Sequence, residues 1–345
     1  MSADDRAVTA ERCAAQLLSG DRAGSAGQVA RRLLAIQAQD LRGARLAVRA
    51  RSAGLSASDV DAALADRSLV VSWLNRGTLH LVRAEDYWWL HPLTTPQLRT
   101  GNSRRLAQEG VPPGDAERAV ATVRAALAAD GPLTRAQLRE RVAAAGVRTE
   151  GQAMIHILAL ASIRGLIVRG PAAGRDQVFV LARDWLGAPP PVMSREAALG
   201  ELARRYLAGH APAADRDLAQ WAGIGLHDAR LGLARCGAVQ RADGLAELPA
   251  SPRRAAAGLP PPRLLGAFDP LLLGWASRDP IVGPHRRIVT VNGLFRPFAL
   301  AGGQAVATWT ITRGQVMLAP LVPLDTRTQA ALAADAAEVT QFLSR

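Results

Sequence analysis

Apolar positions recur at helical spacing through the first 66 residues. Residues 9–19 and 28–38 read as amphipathic helices, and Ser56 to Asp66 as a third with Ser56 or Ser58 as N-cap. The period then falls to two. Leu69-Val70-Val71-Ser72-Trp73-Leu74, a short Asn75-Arg76-Gly77 turn and Thr78-Leu79-His80-Leu81-Val82-Arg83 form a β-hairpin by composition and turn chemistry. Three helices followed by a hairpin is the winged-helix order, a variant of helix-turn-helix. Trp88, Trp89 and His91 follow at a helix start and read as packing onto the next unit.

The order then repeats. Helices are predicted over 115–129, from a Thr134 cap to Ala145, and over 149–164, with Leu166–Arg169 and Gln177–Leu181 as a second wing. Pro189-Pro190-Pro191 marks a linker. A third round runs through 195–208, 214–222 and 226–236, closed by a small hairpin of Ala238–Arg241 and Leu245–Leu248. After Pro260-Pro261-Pro262 short alternating segments broken by Gly and Pro, such as Ile288–Val291 and Ala305–Ile311, predict a small β-barrel-like cap. One helix over about 326–343 ends the chain. The expected fold class is α+β, mainly helical, with three tandem winged-helix units plus a C-terminal β-barrel-like cap. The expected segments are 1–110, 111–190, 191–260 and 261–345.

Composition adds a partner. The chain of 345 residues is 49% hydrophobic but only 4% aromatic, which suits Ala/Leu/Val-rich helices, and its formal charge of +12 favours a polyanion, most simply nucleic acid. From Pro280 to Leu324 no acidic residue occurs, while Arg286, Arg287, Arg296 and Arg313 fall inside, so this stretch is the expected DNA-facing rim. All 42 basic residues are arginine. Without lysine, only the N-terminal amine could form a Schiff base. Two cysteines are too few for a disulfide framework, a zinc site or an iron–sulfur cluster. Neither a signal-peptide core nor a run of transmembrane length is present, so a cytoplasmic, metal-independent protein without a cofactor or membrane partner is expected.

The candidate chemistry sits at Gln37, Gln39 and Asp40, at the end of the second predicted helix. In a continuous helix residues two apart face nearly opposite sides, so the two amides can aim at one point only if the helix ends or distorts between them. Gly43 is a plausible stop signal nearby. The helix is expected to break within two residues of Ala38, with both amides on one cleft. The plainer alternative makes Gln39 and Asp40 solvated C-terminal residues and Gln37 a satisfied buried amide. Other candidates read as structural. Gly223 to Gly225 lacks a preceding strand and reads as a turn, His156 and His80 as packing histidines, and Asp269-Pro270 as a turn. No Ser/His/Asp set or Cys/His pair has a recognisable spacing.

Gln37-Ala38-Gln39-Asp40, Arg76-Gly77-Thr78-Leu79-His80, Phe268 to Trp275 and Gly302 to Trp309 together resemble the AlkZ/YcaQ superfamily of winged-helix DNA glycosylases, from about residue 8 to 320. The chain carries the Gln-x-Gln form typical of AlkZ-like members. The resemblance implies three tandem winged helices around a concave DNA-binding face, a β-barrel, and active-site roles for Gln37 and Gln39, with Asp40 second. Arg42, Arg76 and His80 join Arg286, Arg287, Arg296 and Arg313 as expected DNA contacts. It further implies hydrolysis of N7-alkylguanine lesions, including interstrand crosslinks, and double-stranded DNA is the expected partner of a protein expected to be a monomer. The chemistry is consistent with neutral amides: alkylation at N7 already places positive charge on the base, so the site need only hold a water beneath C1′ and tolerate an oxocarbenium-like transition state. The alternative from another class is a winged-helix transcriptional regulator, dimeric and without catalysis. A third reading is an inactive family member that binds damage.

Overall fold

The computed structural model describes residues 3–173, 176–249, 258–290 and 293–344. By internal contacts the chain divides into two compact units, Met1–Val60 with Arg195–Arg345, and Asp61–Ser194.

The chain opens with α1 (Ala3–Ala15), α2 (Ala26–Leu33), the two-residue strand β1 (Ile36–Gln37), α3 (Leu41–Arg51) and α4 (Ala57–Ala65). Ser25 caps α2, its hydroxyl accepting the Gln28 N–H at 3.2 Å. The expected helix over 28–38 is therefore two shorter pieces of different kind: α2 stops at Leu33, and Ile36 lies in a strand. Helix α3 was not expected, because Gly43 reads as a stop in sequence. In the structure Gly43 lies inside α3, where a Cβ would collide with the Ala267 carbonyl oxygen. The glycine is there for close backbone approach, not for termination.

The second unit holds β2 (Leu69–Leu74) and β3 (Thr78–Arg83), paired antiparallel from Leu69↔Arg83 to Leu74↔Thr78 about a 3-10 turn at Asn75–Gly77. This is the predicted hairpin, with its turn at the predicted residues. There follow α5 (Ala84–Thr94), α6 (Leu98–Gln108), α7 (Pro113–Asp130), β4 (Leu133–Thr134), α8 (Arg135–Ala144), α9 (Ala153–Ile163), β5 (Ile167–Ala173), β6 (Asp176–Leu181) and α10 (Ala182–Leu186). Thr134 and Gln137 form a reciprocal capping box at α8. The two hairpins share one sheet, in the order β3-β2-β5-β6-β4, joined through Val71↔Arg169. Trp73 and Phe179 stack in it with centroids 6.5 Å apart.

The first unit resumes with α11 (Arg195–His210), α12 (Asp215–Ala222), α13 (Leu226–Arg235) and the small pair β7 (Val239–Gln240) and β8 (Ala246–Glu247). Gly223, in the left-handed region, ends α12, as the turn reading of Gly223–Gly225 expects. Then come β9 (Arg263–Leu265), the single turns α14 (Pro270–Leu273) and α15 (Asp279–Val282), β10 (Phe298–Ala301), β11 (Gln304–Thr312), β12 (Gln315–Pro320) and α16 (Thr326–Ser344).

The cap is not a barrel. Among the described residues its four strands form an open antiparallel sheet, β12-β11-β10-β9. Helix α16 covers the face around which a barrel would close: Leu332 and Val339 pack with Leu264, Ala299, Ala307 and Trp309, and Leu46 of α3 joins them. The alternation of β11 fits a one-sided sheet as well as a barrel, so it could not distinguish them. The expected strand at Ile288–Val291 is a 3-10 turn at Arg286–Ile288 followed by a single bridge from Val289 to Phe295, with Val291 outside the described residues.

Candidate active site

Helix α2 is ended by its neighbours rather than by its own sequence. Arg205 of α11 donates to the Arg31 carbonyl at 3.0 Å, and Arg32 donates to the Ala208 carbonyl at 3.0 Å. Gly209 lies so close that a Cβ would strike the Arg32 carbonyl oxygen. With α2 held in this way at its last turn, the chain turns at once. Leu34 adopts φ 63° and ψ −50°, and the Ala35 N–H bonds back to the Leu33 carbonyl at 2.8 Å. That is a three-residue γ-turn of the rare, strained hand, on a leucine. Such a conformation costs on the order of 1–3 kcal/mol and persists only where its surroundings enforce it. Leu33, Leu34 and Ile36 are fully buried around it.

The turn delivers the two-residue strand β1, after which the chain bends at Gln39 and Asp40. This path brings Gln37 and Gln39 together. The Gln37 amide Nε2 donates to Gln39 Oε1 at 2.8 Å. Gln37 is buried, at 6% exposure, while Gln39 is exposed. Of the pair, Gln37 keeps its carbonyl oxygen for a further donor and Gln39 keeps its amide hydrogens for a further acceptor. Asp40 follows as the N-cap of α3, with Oδ1 accepting the Arg42 N–H at 3.0 Å. The break that brings the amides together thus falls at Leu33–Leu34, upstream of the expected position near Ala38.

Helix α3 is anchored at its far end by two buried ion pairs. Arg51, wholly buried, grips Asp269 with two bonds of 2.7 and 2.9 Å and also reaches Gln16 at 2.7 Å. Arg49 holds Asp335 at 3.0 and 2.8 Å and the Leu264 carbonyl at 2.8 Å. Asp269 is more than the turn residue expected, since it caps α14 through the Leu271 N–H and carries the charge opposite Arg51. Sequence reasoning missed Arg49, Arg51, Arg205 and the γ-turn at Leu34. The available signal was glycine inside helical pattern at Gly43 and Gly209, which marks close packing.

The remaining candidates are placed as follows. Arg42 is exposed on the first turn of α3. Arg76 is half-buried at the hairpin tip with φ 57°, next to Gly77 at φ 77°. His80 is buried, its Nδ1 3.0 Å from the Thr78 carbonyl oxygen, and burial pulls its pKa down to about 3, so the ring is neutral. Its apolar neighbours suggest such a packing histidine; the direct DNA contact also expected of His80 does not suit a ring buried at 3% exposure. Arg287 and Arg296 are exposed, and Arg313 stands exposed at the β11–β12 tip with φ 50° beside Gly314 at φ 80°. The side chain of Arg286 lies outside the described residues. Among the described residues no group of three His, Cys, Asp or Glu is arranged to hold a metal, and no helix is long and apolar enough to cross a membrane.

Three comparisons bear on this arrangement. The family described as DNA glycosylase AlkZ-like matches residues 30–342. An interstrand DNA cross-link repair glycosylase of Streptomyces sahachiroi is 28% identical over 370 residues, covering 99% of this chain and 97% of that protein. The solved structure of Streptomyces sahachiroi DNA glycosylase AlkZ superposes with a TM-score of 0.81 at 26% identity, over 100% of this chain and 98% of that one.

Proposed function

The chain belongs to the AlkZ-like DNA glycosylase family, and from that premise we propose that it hydrolyses the N-glycosidic bond of N7-alkylguanine in double-stranded DNA, interstrand crosslinks included. The cross-link activity named for the Streptomyces relative supports the substrate class. The three helix–hairpin segments 1–110, 111–190 and 191–260, with the cap 261–345, serve as its winged-helix scaffold, and it acts as a monomer in the cytoplasm. The observation that carries the reading is the bonded pair of Gln37 and Gln39, set side by side by a strained turn and braced by α3.

Gln37 Oε1 accepts a hydrogen bond from a water beneath C1′. Donation from Gln37 Nε2 to Gln39 draws charge onto that oxygen and strengthens it as an acceptor. Gln39 fixes the amide plane and turns its own amide hydrogens toward solvent and substrate. The C1′–N9 bond breaks with its electron pair passing to the base, which neutralises the positive charge at N7. The water oxygen bonds to C1′, its proton passes to solvent, and neutral N7-alkylguanine and an abasic site result. No strong acid is needed, because the leaving base is already cationic. Asp40, engaged as a helix cap, contributes negative potential to the developing oxocarbenium. Strand cleavage by a lysine imine is absent for want of lysine, so the enzyme is monofunctional. Arg42, Arg76, Arg286, Arg287, Arg296 and Arg313 serve as DNA contacts, and His80 supports the hairpin that carries Arg76.

Incubation with a duplex containing N7-methylguanine is expected to release the free base, measured by chromatography, and to leave heat- and alkali-labile sites. A duplex crosslinked between guanines should be processed in the same assay. Tight binding with no free base, on a sequence-selective and dimeric protein, would support the regulator instead.

A further inference from the structure

We propose that Phe268 is a specificity-determining residue of the glutamine site, its ring taking the positive charge of the alkylated base. The proposal rests on the DNA glycosylase reading and names the feature by which that site tells a cationic lesion from a neutral base.

The backbone that carries Phe268 is laid on the first turn of α3, the turn that follows Gln39 and is capped by Asp40. A Cβ on Gly43 would collide with the Ala267 carbonyl oxygen and would stand 3.3 Å from Asp40 Oδ2, so carbonyl and carboxylate border one point. A Cβ on Gly266 would come within 3.0 Å of the Gly43 carbonyl oxygen and of Leu46 Cβ. Two glycines, one on each segment, thus permit the approach. The carbonyl in question is the one bonded to the Phe268 nitrogen, which sets the attachment of the ring beside the N-cap of α3.

At this place the chain holds an awkward residue. Phe268 has φ 57°, in the left-handed region that glycine occupies without cost and a bulky side chain does not. The flanking residues are fixed whatever stands at 268: Leu264 and Leu265 lie in β9, and Asp269 is gripped by Arg51 while it caps α14. Glycine would make the same turn with less strain, so the fold gives no reason for an aromatic ring here. Nor is the ring needed as core. From Arg263 to Trp275 every residue is buried except Phe268, which is half-buried. Strain of this kind on a partly open side chain beside a candidate site points to a ligand.

The ring has one aromatic neighbour. Phe295 lies with its centroid 5.2 Å away and its plane tilted by 42°. Arg278 already stands over Phe295 at 5.1 Å, held by the Leu272 carbonyl at 2.9 Å. Among the described residues no arginine lies over Phe268 in this way. Phe268 therefore keeps a π face for a cation from outside the protein. The N7-alkylated base is such a cation, with its charge spread over the five-membered ring, and an aromatic face attracts it while ignoring unmodified guanine. The electron pair of the C1′–N9 bond neutralises the base as it leaves. The attraction is accordingly greatest for bound substrate and fades toward the transition state, so Phe268 adds affinity and selectivity rather than rate.

The test separates charge from shape with two duplexes that differ at one base. One carries 2′-fluorinated N7-methylguanosine, whose fluorine resists loss of the cationic base. The other carries 7-methyl-7-deazaguanosine, which has the same outline without the charge. The wild type should bind the charged duplex roughly 2- to 30-fold more tightly than the neutral one, the span of a cation–π contact from exposed to desolvated sites. Phe268→Leu keeps apolar bulk but loses the π face, and should abolish that preference with affinity for the neutral duplex unchanged. Phe268→Tyr should retain it. In single-turnover release of N7-methylguanine, Phe268→Leu should raise the enzyme concentration needed for half-saturation by the same factor and leave the saturated rate as it is. A preference that survives in Phe268→Leu, an equal loss of affinity for both duplexes, or a fall in the saturated rate alone would overturn the role. The binding measurement needs no base release. A preference lost in Phe268→Leu, on a protein that excises nothing, sinks the glycosylase reading and leaves the recognition; base release by a wild type that ignores the charge does the reverse.

Discussion

Gln37 differs from an ordinary buried amide in having its donor engaged by a second glutamine while its acceptor is left over. In the proposed mechanism that asymmetry gives Gln37 and Gln39 different roles, which the tripeptide alone does not. The amides themselves were legible in sequence as a candidate site. Their common orientation was not, because the apolar run Leu33-Leu34-Ala35-Ile36 continues the helical period without a breaker, and the break is imposed by Arg205, Arg32 and Gly209 through contacts distant in sequence. Asp40 is the sharper residue-level test. Asparagine caps a helix as well as aspartate does, whereas alanine does not. Asp40→Asn should therefore keep the stability of the protein and most of its base release, while Asp40→Ala should lose about 1 kcal/mol in urea denaturation. An Asp40→Asn protein that is folded but releases no base would make the carboxylate, not the amides, the group that activates water.

At the scale of elements, the short apolar runs and turn residues identified nearly every hairpin and most helices. The Leu69–Arg83 hairpin, the Thr134 cap and the Gly223 turn are all local, so local sequence contains their cause. Helix α3 and the open cap were not legible because their causes are distant. Gly43 packs on Ala267, and α16 covers a sheet that alternation alone could equally close. The same distance governs energetics. Arg51 and Asp269 are both fully buried, and removing one leaves an uncompensated charge. Asp269→Asn should destabilise by about 3–5 kcal/mol in urea denaturation, whereas the double variant Arg51→Met/Asp269→Leu should recover much of that loss. A double variant no more stable than Asp269→Asn would show that the pair fixes α3 by geometry that apolar packing cannot replace.

For the whole molecule, the charge of +12 pointed correctly to nucleic acid, and the match to DNA glycosylases spans nearly the entire chain. Composition said nothing of which arginines are spent internally, as Arg49 and Arg51 are, and which face outward. Stability should also depend on acidity. Burial holds His80 and His210 neutral, with pKa values of about 3, while in the unfolded chain each protonates from about pH 6.5. Between those values the unfolded state binds the extra protons, so stability is full above pH 6.5 and falls as pH drops toward 3. Each histidine contributes a slope approaching about 1.4 kcal/mol per pH unit well inside that window. Urea midpoints at pH 7, 6 and 5 should decline, and less so for His80→Gln. Midpoints that stay level from pH 7 to 5 would mean that neither ring is held neutral.

The central claim is that phosphate contacts supply affinity while Gln37 and Gln39 orient the attacking water only in the transition state. Single-turnover release of N7-methylguanine from a duplex, with enzyme in saturating excess, measures that directly. Gln37→Ala and Gln39→Ala should each slow release on the order of 10- to 1,000-fold, the larger loss falling at Gln37, with duplex affinity unchanged. Release by both variants at the wild-type rate would contradict the account.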